Sequence, residues 1–149
     1  MPARDMTGDL HGLVQDRLRD ADQRYTAGRR AIISLLAATG HPVSISDIAS
    51  QLPALPRSSA YRHLTDLESA GIVRRVAASD EFTRFELGED LTGHHHHLVC
   101  VNCGKVIDIT LSASSEQAIS EAVGQVADAE GFQPQSHRVD VLGSCASCS

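Results

Sequence analysis

The chain has 149 residues, 42% of them hydrophobic and 21% charged, with a formal net charge of −6; this admits one ordinary domain or two small ones and argues against disorder or a fibrous repeat. The longest nearly apolar run, residues 31–38, is broken by Ser34 and falls far short of the roughly twenty residues of a bilayer span. The N-terminus lacks the architecture of a secretory signal, so a cytoplasmic protein with no membrane helix is expected.

The average charge hides a segregation. Between Arg24 and Arg75 seven arginines face three acids, whereas residues 93–149 carry two cations against six acids. The basic part suits phosphate contacts; the acidic part holds the four cysteines and most of the eight histidines. In a reducing compartment, such cysteines point to metal or redox chemistry rather than disulfides.

In chain order, Leu10, Leu13, Val14 and Leu18 predict an amphipathic helix over 10–22. A second helix over 27–39 is capped by Thr26 and ended by Gly40, with Ile32, Ile33, Leu35 and Leu36 as its apolar stripe. Ser46 caps a short third helix carrying Ile48, and Pro53 and Pro56 end it. Ser58 or Ser59 caps a fourth helix through Ala70, with Leu64 and Leu67 inward. Residues 72–76 and 82–87 then read as strands joined by a turn over 77–81.

Three helices followed by a hairpin spell a winged helix-turn-helix, in which the last helix enters the major groove. Arg57, Ser59, Tyr61 and Arg62 lie at its exposed start and are the expected DNA contacts. The plain alternative is a helical domain whose arginines form a solvated face.

Residues 88–93 read as a hinge between a domain at 1–87 and another at 94–149. Beyond it the sequence predicts a strand over about 106–111, a helix whose capping box is Ser114 with Gln117 and whose stripe is Ile119, Ala122, Val123 and Val126, and a strand over 136–142. The fold class is α+β: a winged helix followed by a small α/β domain. That second part has only about 55 residues, too few to bury a convincing core unaided. It needs a metal or a second subunit.

Cys100-x-x-Cys103 and Cys145-x-x-Cys148 offer four thiolates at the number and spacing of a tetrahedral structural zinc. Redox dithiols are the alternative. His94 to His97 run directly into the first knuckle; if extended, His95 and His97 share one face and His94 and His96 the other. Two histidine pairs thus face two ways, each awaiting carboxylates.

The order Arg24-Tyr25-Thr26 with Arg29-Arg30, then Ser59-Ala60-Tyr61-Arg62-His63-Leu64, then the four histidines with Cys100-x-x-Cys103-Gly104, and last Gly143-x-Cys145-x-x-Cys148, resembles the ferric uptake regulator (Fur) family over residues 24–148. The resemblance implies a homodimeric, metal-dependent repressor of metal-homeostasis genes that binds a palindromic operator on double-stranded DNA. It implies structural zinc on Cys100, Cys103, Cys145 and Cys148, and a regulatory divalent metal on His41, Glu86, His95 and His97 with Asp108. A further site comprises His94, His96, Glu116 and His137, where His96 replaces an aspartate of other members. It also makes Tyr61 a DNA contact. Two departures stand out: His41 lies one residue further from Asp47-Ile48 than in many relatives, and Ser59-Ala60-Tyr61-Arg62 replaces Ser-Thr-Val-Tyr-Arg.

The sensed metal is read as zinc first, from the four-histidine run and His96, with iron second and peroxide sensing through iron third. A catalytic zinc enzyme lacks support, because no His-Glu-x-x-His is present. A zinc-ribbon adaptor that binds protein instead of DNA is the remaining rival.

Overall fold

The computed structural model describes residues 6–76 and 83–149; the expected turn over 77–81 and Phe82 lie outside the described residues. Helices α1 (Met6–Asp20), α2 (Ala27–Thr39), α3 (Ile45–Gln51) and α4 (Arg57–Ser69) come first. Strand β1 (Val43–Ser44) lies between α2 and α3, and β2 (Val73–Val76) and β3 (Arg84–Leu87) follow α4. Both strands of the expected hairpin pair antiparallel, but β1 also joins β3, giving a three-stranded sheet of order β1-β3-β2. Two residues are too short a run for alternation to signal a strand.

One core cluster fills this half: Val14 and Leu18 of α1, Ile32, Ile33 and Leu36 of α2, Ile48 of α3, Leu64 and Leu67 of α4, and Phe85 and Leu87 of β3. The stripes dictate it, because each helix carries its apolar residues at intervals of three and four and can bury them together on one side.

Several caps differ from expectation. Helix α1 begins four residues early and ends at Asp20, before Asp22 in a left-handed turn (φ 56°). Thr26 does cap α2, and Gly40 ends it at φ 69°. Helix α3 is capped by Ser44, not Ser46, in a reciprocal capping box with Asp47. Ser44 wins because it ends the extended β1 segment, supplying the non-helical backbone an N-cap needs. Helix α4 starts at Arg57 after Pro56, with no side-chain cap from Ser58 or Ser59; the proline ring presets φ for the entry.

The expected hinge holds a one-turn helix, α5 (Glu89–Thr92), and its Leu91 packs against the winged-helix core. Gly93 ends that helix with φ of 97° and ψ of 162°, a conformation that suits glycine. Arg17 forms an ion pair with Asp90, tying α1 to α5.

The second half contains β4 (His96–Cys100), β5 (Val106–Ile109), α6 (Ala113–Ala129) and β6 (Asp140–Gly143). Its sheet has order β5-β4-β6, with β5 antiparallel and β6 parallel to the central β4. Ser112, not Ser114, caps α6, while Gln117 donates along the helix to Glu121. Strand β6 starts four residues later than predicted, leaving His137 before it.

The α6 stripe is outward-facing. Val123 is 40% and Val126 67% exposed, as are Phe132 (66%) and Leu142 (56%). Within the chain this half buries little apart from Val99, Cys100, Ala127, His96 and His97. No helix among the described residues is long and apolar enough to cross a membrane.

Candidate metal centres and DNA-facing helix

The parallel pairing of β6 with β4 builds the cysteine group. It sets Gly143 beside Cys100, so the second knuckle arrives against the first. The left-handed Gly104 (φ 74°) turns the chain after Cys103, and Asn102 Nδ2 donates to Ser144 Oγ at 2.9 Å between the knuckles. All four sulfurs lie within 4.8 Å of one another. Cys103 and Cys145 Sγ are 3.7 Å apart, far beyond the roughly 2.05 Å of a disulfide. That separation matches the edge, about 3.8 Å, of a tetrahedron with zinc–sulfur bonds of about 2.3 Å. Backbone N–H groups, Cys145 first, hold the Cys100 thiol down to about 6, whereas hydrogen bonds to Cys145 and Cys103 push Cys148 up to about 12. Crowded thiols that cannot all ionise together suit a divalent cation.

The second group joins the two central strands. Glu86 stands on β3 and His97 on β4, with His95 just before that strand and Asp108 on β5. Glu86 Oε2 accepts from His95 Nε2 at 3.0 Å and from His97 Nε2 at 3.1 Å. Asp108 lies 3.9 Å from His95 and 3.7 Å from His97. Ligand atoms around a metal at about 2.0–2.2 Å would be separated by similar distances, so the donor set fits a divalent ion. Burial opposes the Glu86 charge, but hydrogen bonds from His97, His95 and Arg74 outweigh it and hold the carboxyl down at about 2. Burial also opposes a charged His97, yet Glu86 and Asp140 raise it above its ordinary value. Burial and the neighbouring Glu86 charge push Asp108 up.

His41 is not among those four clustered groups. Its Nδ1 donates to the Pro42 carbonyl at 3.0 Å, and the exposed ring lines the same cavity as Glu86, His95 and Asp108.

The third group forms on the opposite face, as the period of two requires. His96 Nε2 donates to Glu116 Oε1 at 2.7 Å, and His137 Nε2 lies 2.8 Å and His94 Nε2 3.1 Å from Glu116 Oε2. The capped start of α6 presents Glu116 to the sheet. Four of the sequence-derived residues thus meet, although His94 precedes β4 and His137 precedes β6.

The surrounding shell had no local signal. Asp140 Oδ1 accepts from His97 Nδ1 at 2.9 Å, Glu89 holds His94 Nδ1, and Arg74 Nε donates to Glu86 Oε1 at 2.6 Å. Register explains two of these contacts: Arg74 is the cross-strand partner of Glu86, and Asp140 of His97.

On α4, Arg57, Tyr61 and Arg62 are exposed while Ser59 is half-buried. Arg57 donates to Ser46 Oγ on α3 at 2.7 Å. Beneath this face Arg29 pairs with Asp66 at 2.6 Å and donates to His63 Nδ1 at 3.4 Å, anchoring α4 to α2.

The family model for the ferric uptake regulator family matches residues 20–142. The chain is 26% identical over 138 residues to the peroxide operon regulator of Bacillus subtilis (strain 168), covering 90% of each. It is 29% identical over 139 residues to the transcriptional regulator FurA of Mycobacterium tuberculosis (strain ATCC 25618 / H37Rv), covering 90% of this chain and 88% of that protein. Its fold matches the structure of the Helicobacter pylori ferric uptake regulator, a protein with three functional metal binding sites, at a TM-score of 0.75 and 21% identity over 99% of this chain and 97% of that one. The chain therefore belongs to the ferric uptake regulator family, whose members are metal-responsive transcription regulators and not enzymes.

Proposed function

We propose that this chain is a cytoplasmic, homodimeric repressor that binds a palindromic duplex when a divalent metal, zinc in first place, occupies the Glu86, His95, His97 and Asp108 group, with His41 closing it. The observation that carries this reading is Glu86. It belongs to the winged helix, yet its carboxylate is engaged by His97 of the second sheet and by His95 just before that strand. Residues 1–87 form the reading head and 94–149 the metal-holding, dimerising part, with 88–93 between them.

A divalent ion bound there supplies charge neutralisation and directed bonds among ligands drawn from both halves. The chain's own residues do the rest. Glu86 stays ionised and ready to bind, Asp140 orients His97, and Arg57, Ser59, Tyr61 and Arg62 are carried toward the groove. Shifting the head from about 1% to 99% closed requires about 5.5 kcal/mol of preference for the closed state, within reach of one chelated ion. Cys100, Cys103, Cys145 and Cys148 hold a structural zinc that stabilises the small half. The outward stripe of α6, with Phe132 and Leu142, is the surface a second copy covers, since large apolar patches mark association sites. His94, His96, Glu116 and His137 form an additional metal site.

A second reading, an iron-responsive or peroxide-sensing repressor, is favoured by the regulatory group being nitrogen and oxygen throughout, a set that serves Fe(II) as well as Zn(II). The experiment is duplex binding by protein that keeps its cysteine zinc, titrated anaerobically with Zn(II), Fe(II) and Mn(II) in turn. Tightest binding with Zn(II) supports the first reading and with Fe(II) the second; equal binding with and without metal refutes both.

A further inference from the structure

Strand register surrounds His97 with two acids. Its partner on β5 is Asp108 and its partner on β6 is Asp140. They do different things. Asp108 Oδ1 lies 3.7 Å from Nε2, the nitrogen that faces Glu86, whereas Asp140 Oδ1 accepts from Nδ1 at 2.9 Å. Asp140 therefore sets the ring instead of joining the donor set. Its other oxygen, Oδ2, accepts from Arg138 Nε at 3.0 Å. Arg138 then reaches the winged helix: one terminal nitrogen donates to the main-chain carbonyl of Arg75 on β2 at 3.2 Å.

We propose that Asp140 and Arg138 are a positioning pair that carries the setting of the His97 ring to strand β2 of the winged helix. The inference rests on the regulator reading above and adds to it a route from His97 to the winged helix that does not pass through Glu86. Strand β2 is held to one metal group twice. Arg74 ties it through Glu86, and the Arg75 carbonyl ties it through Arg138 and Asp140. Each link is a directed hydrogen bond, and the contacts to Asp140 are charge-assisted. The guanidinium is suited to this because its planar fork can serve a carboxylate and a carbonyl at once. The Arg138 side chain is 41% exposed, so its truncation leaves no core cavity, and its effect is read in coupling instead of packing.

By linkage, the factor by which a duplex tightens metal binding equals the factor by which metal tightens duplex binding. The test measures Zn(II) affinity by chelator competition on dimeric protein retaining its cysteine zinc, with and without a duplex that the wild type selects from a random palindromic pool. Arg138→Ala is expected to keep the duplex-free Zn(II) affinity while the coupling factor falls about threefold to thirtyfold, with Arg138→Lys intermediate. Asp140→Ala lowers the duplex-free Zn(II) affinity itself by about tenfold or more. Should Asp140→Ala lose its cysteine zinc, Asp140→Asn keeps an acceptor for Nδ1 and is expected to lose coupling while retaining affinity.

An Arg138→Ala coupling factor equal to that of wild type overturns the pair. So does a loss of duplex affinity equal with and without Zn(II), which marks a direct DNA contact. A wild-type coupling factor of one overturns the regulator reading itself and this inference with it.

Discussion

Glu86 and His97 stand on the central strands of two different sheets, yet Oε2 of one and Nε2 of the other are 3.1 Å apart in a buried contact. On the proposed reading, a metal held by these two side chains acts on both halves. A ligand group contained within one sheet would report metal without moving the head; this one draws its donors from both.

Removing that junction separates sensing from folding. Glu86→Gln is expected to abolish metal-dependent tightening on the duplex, a loss within the 5–150-fold range typical of such coupling, while zinc on the cysteines stays at one per protomer. Fluorescence anisotropy with metal analysis checks it; retained coupling in the variant would remove Glu86 from the regulatory group.

The cysteine group has a different task. Cys148→Ser is expected to lose zinc and lower the thermal midpoint by more than about 10 °C, because structural zinc binding is folding free energy and a few kcal/mol moves a domain of this size that far. Circular dichroism melts with zinc quantification decide it.

The pH dependence should reverse on adding metal. Hydrogen bonds to Glu86 and Asp140 raise His97, so in protein lacking regulatory metal its contribution to stability is full below the unfolded value of about 6.5 and lost as pH rises through the folded one. A metal ligand must be deprotonated, so with metal bound the stability gained from binding is lost as pH falls through that same raised value. Glu86, held at about 2, stays charged across this window. Thermal midpoints from pH 5 to 8 with and without added Zn(II) should slope in opposite directions; parallel slopes would remove His97 from the ligands.

On the reading head, Tyr61→Ala combined with Arg62→Ala should weaken duplex binding by at least about tenfold and flatten the dependence of affinity on salt by about one phosphate contact. Metal affinity measured without duplex should not change, since both side chains are exposed on α4 and neither belongs to a metal group.

The apolar stripe of α6 predicts its own outcome. Val126 is 67% exposed in the single chain, so Val126→Glu should leave each protomer folded but raise the dimer dissociation constant by about tenfold or more, about 1.4 kcal/mol. Sedimentation across a concentration series reads this directly.

The sequence by itself determined whatever is local. The knuckle spacing brought each cysteine pair within reach of one ion, helical stripes marked α2, α3 and α4, and the period of two split the histidines into the pairs that meet Glu86 with Asp108 and Glu116 with His137. The resemblance to relatives supplied those acids. The Thr26 cap is legible in the sequence, whereas α3 and α6 are capped by Ser44 and Ser112, two residues before the serines their sequences suggest, because an N-cap needs extended backbone and the folded chain decides which of two nearby serines has it. Tertiary structure alone decided what depends on pairing between distant strands. Asp140 meets His97, 43 residues away, because β6 runs parallel to β4 in one register and a slip by one residue would turn it to the other face. The same is true of Arg74 opposite Glu86 and of Arg138 reaching β2, contacts with no periodicity to announce them. The spacing of the α6 stripe marks an apolar face, yet burial is a property of what lies opposite, and within one chain Val126 stays 67% exposed.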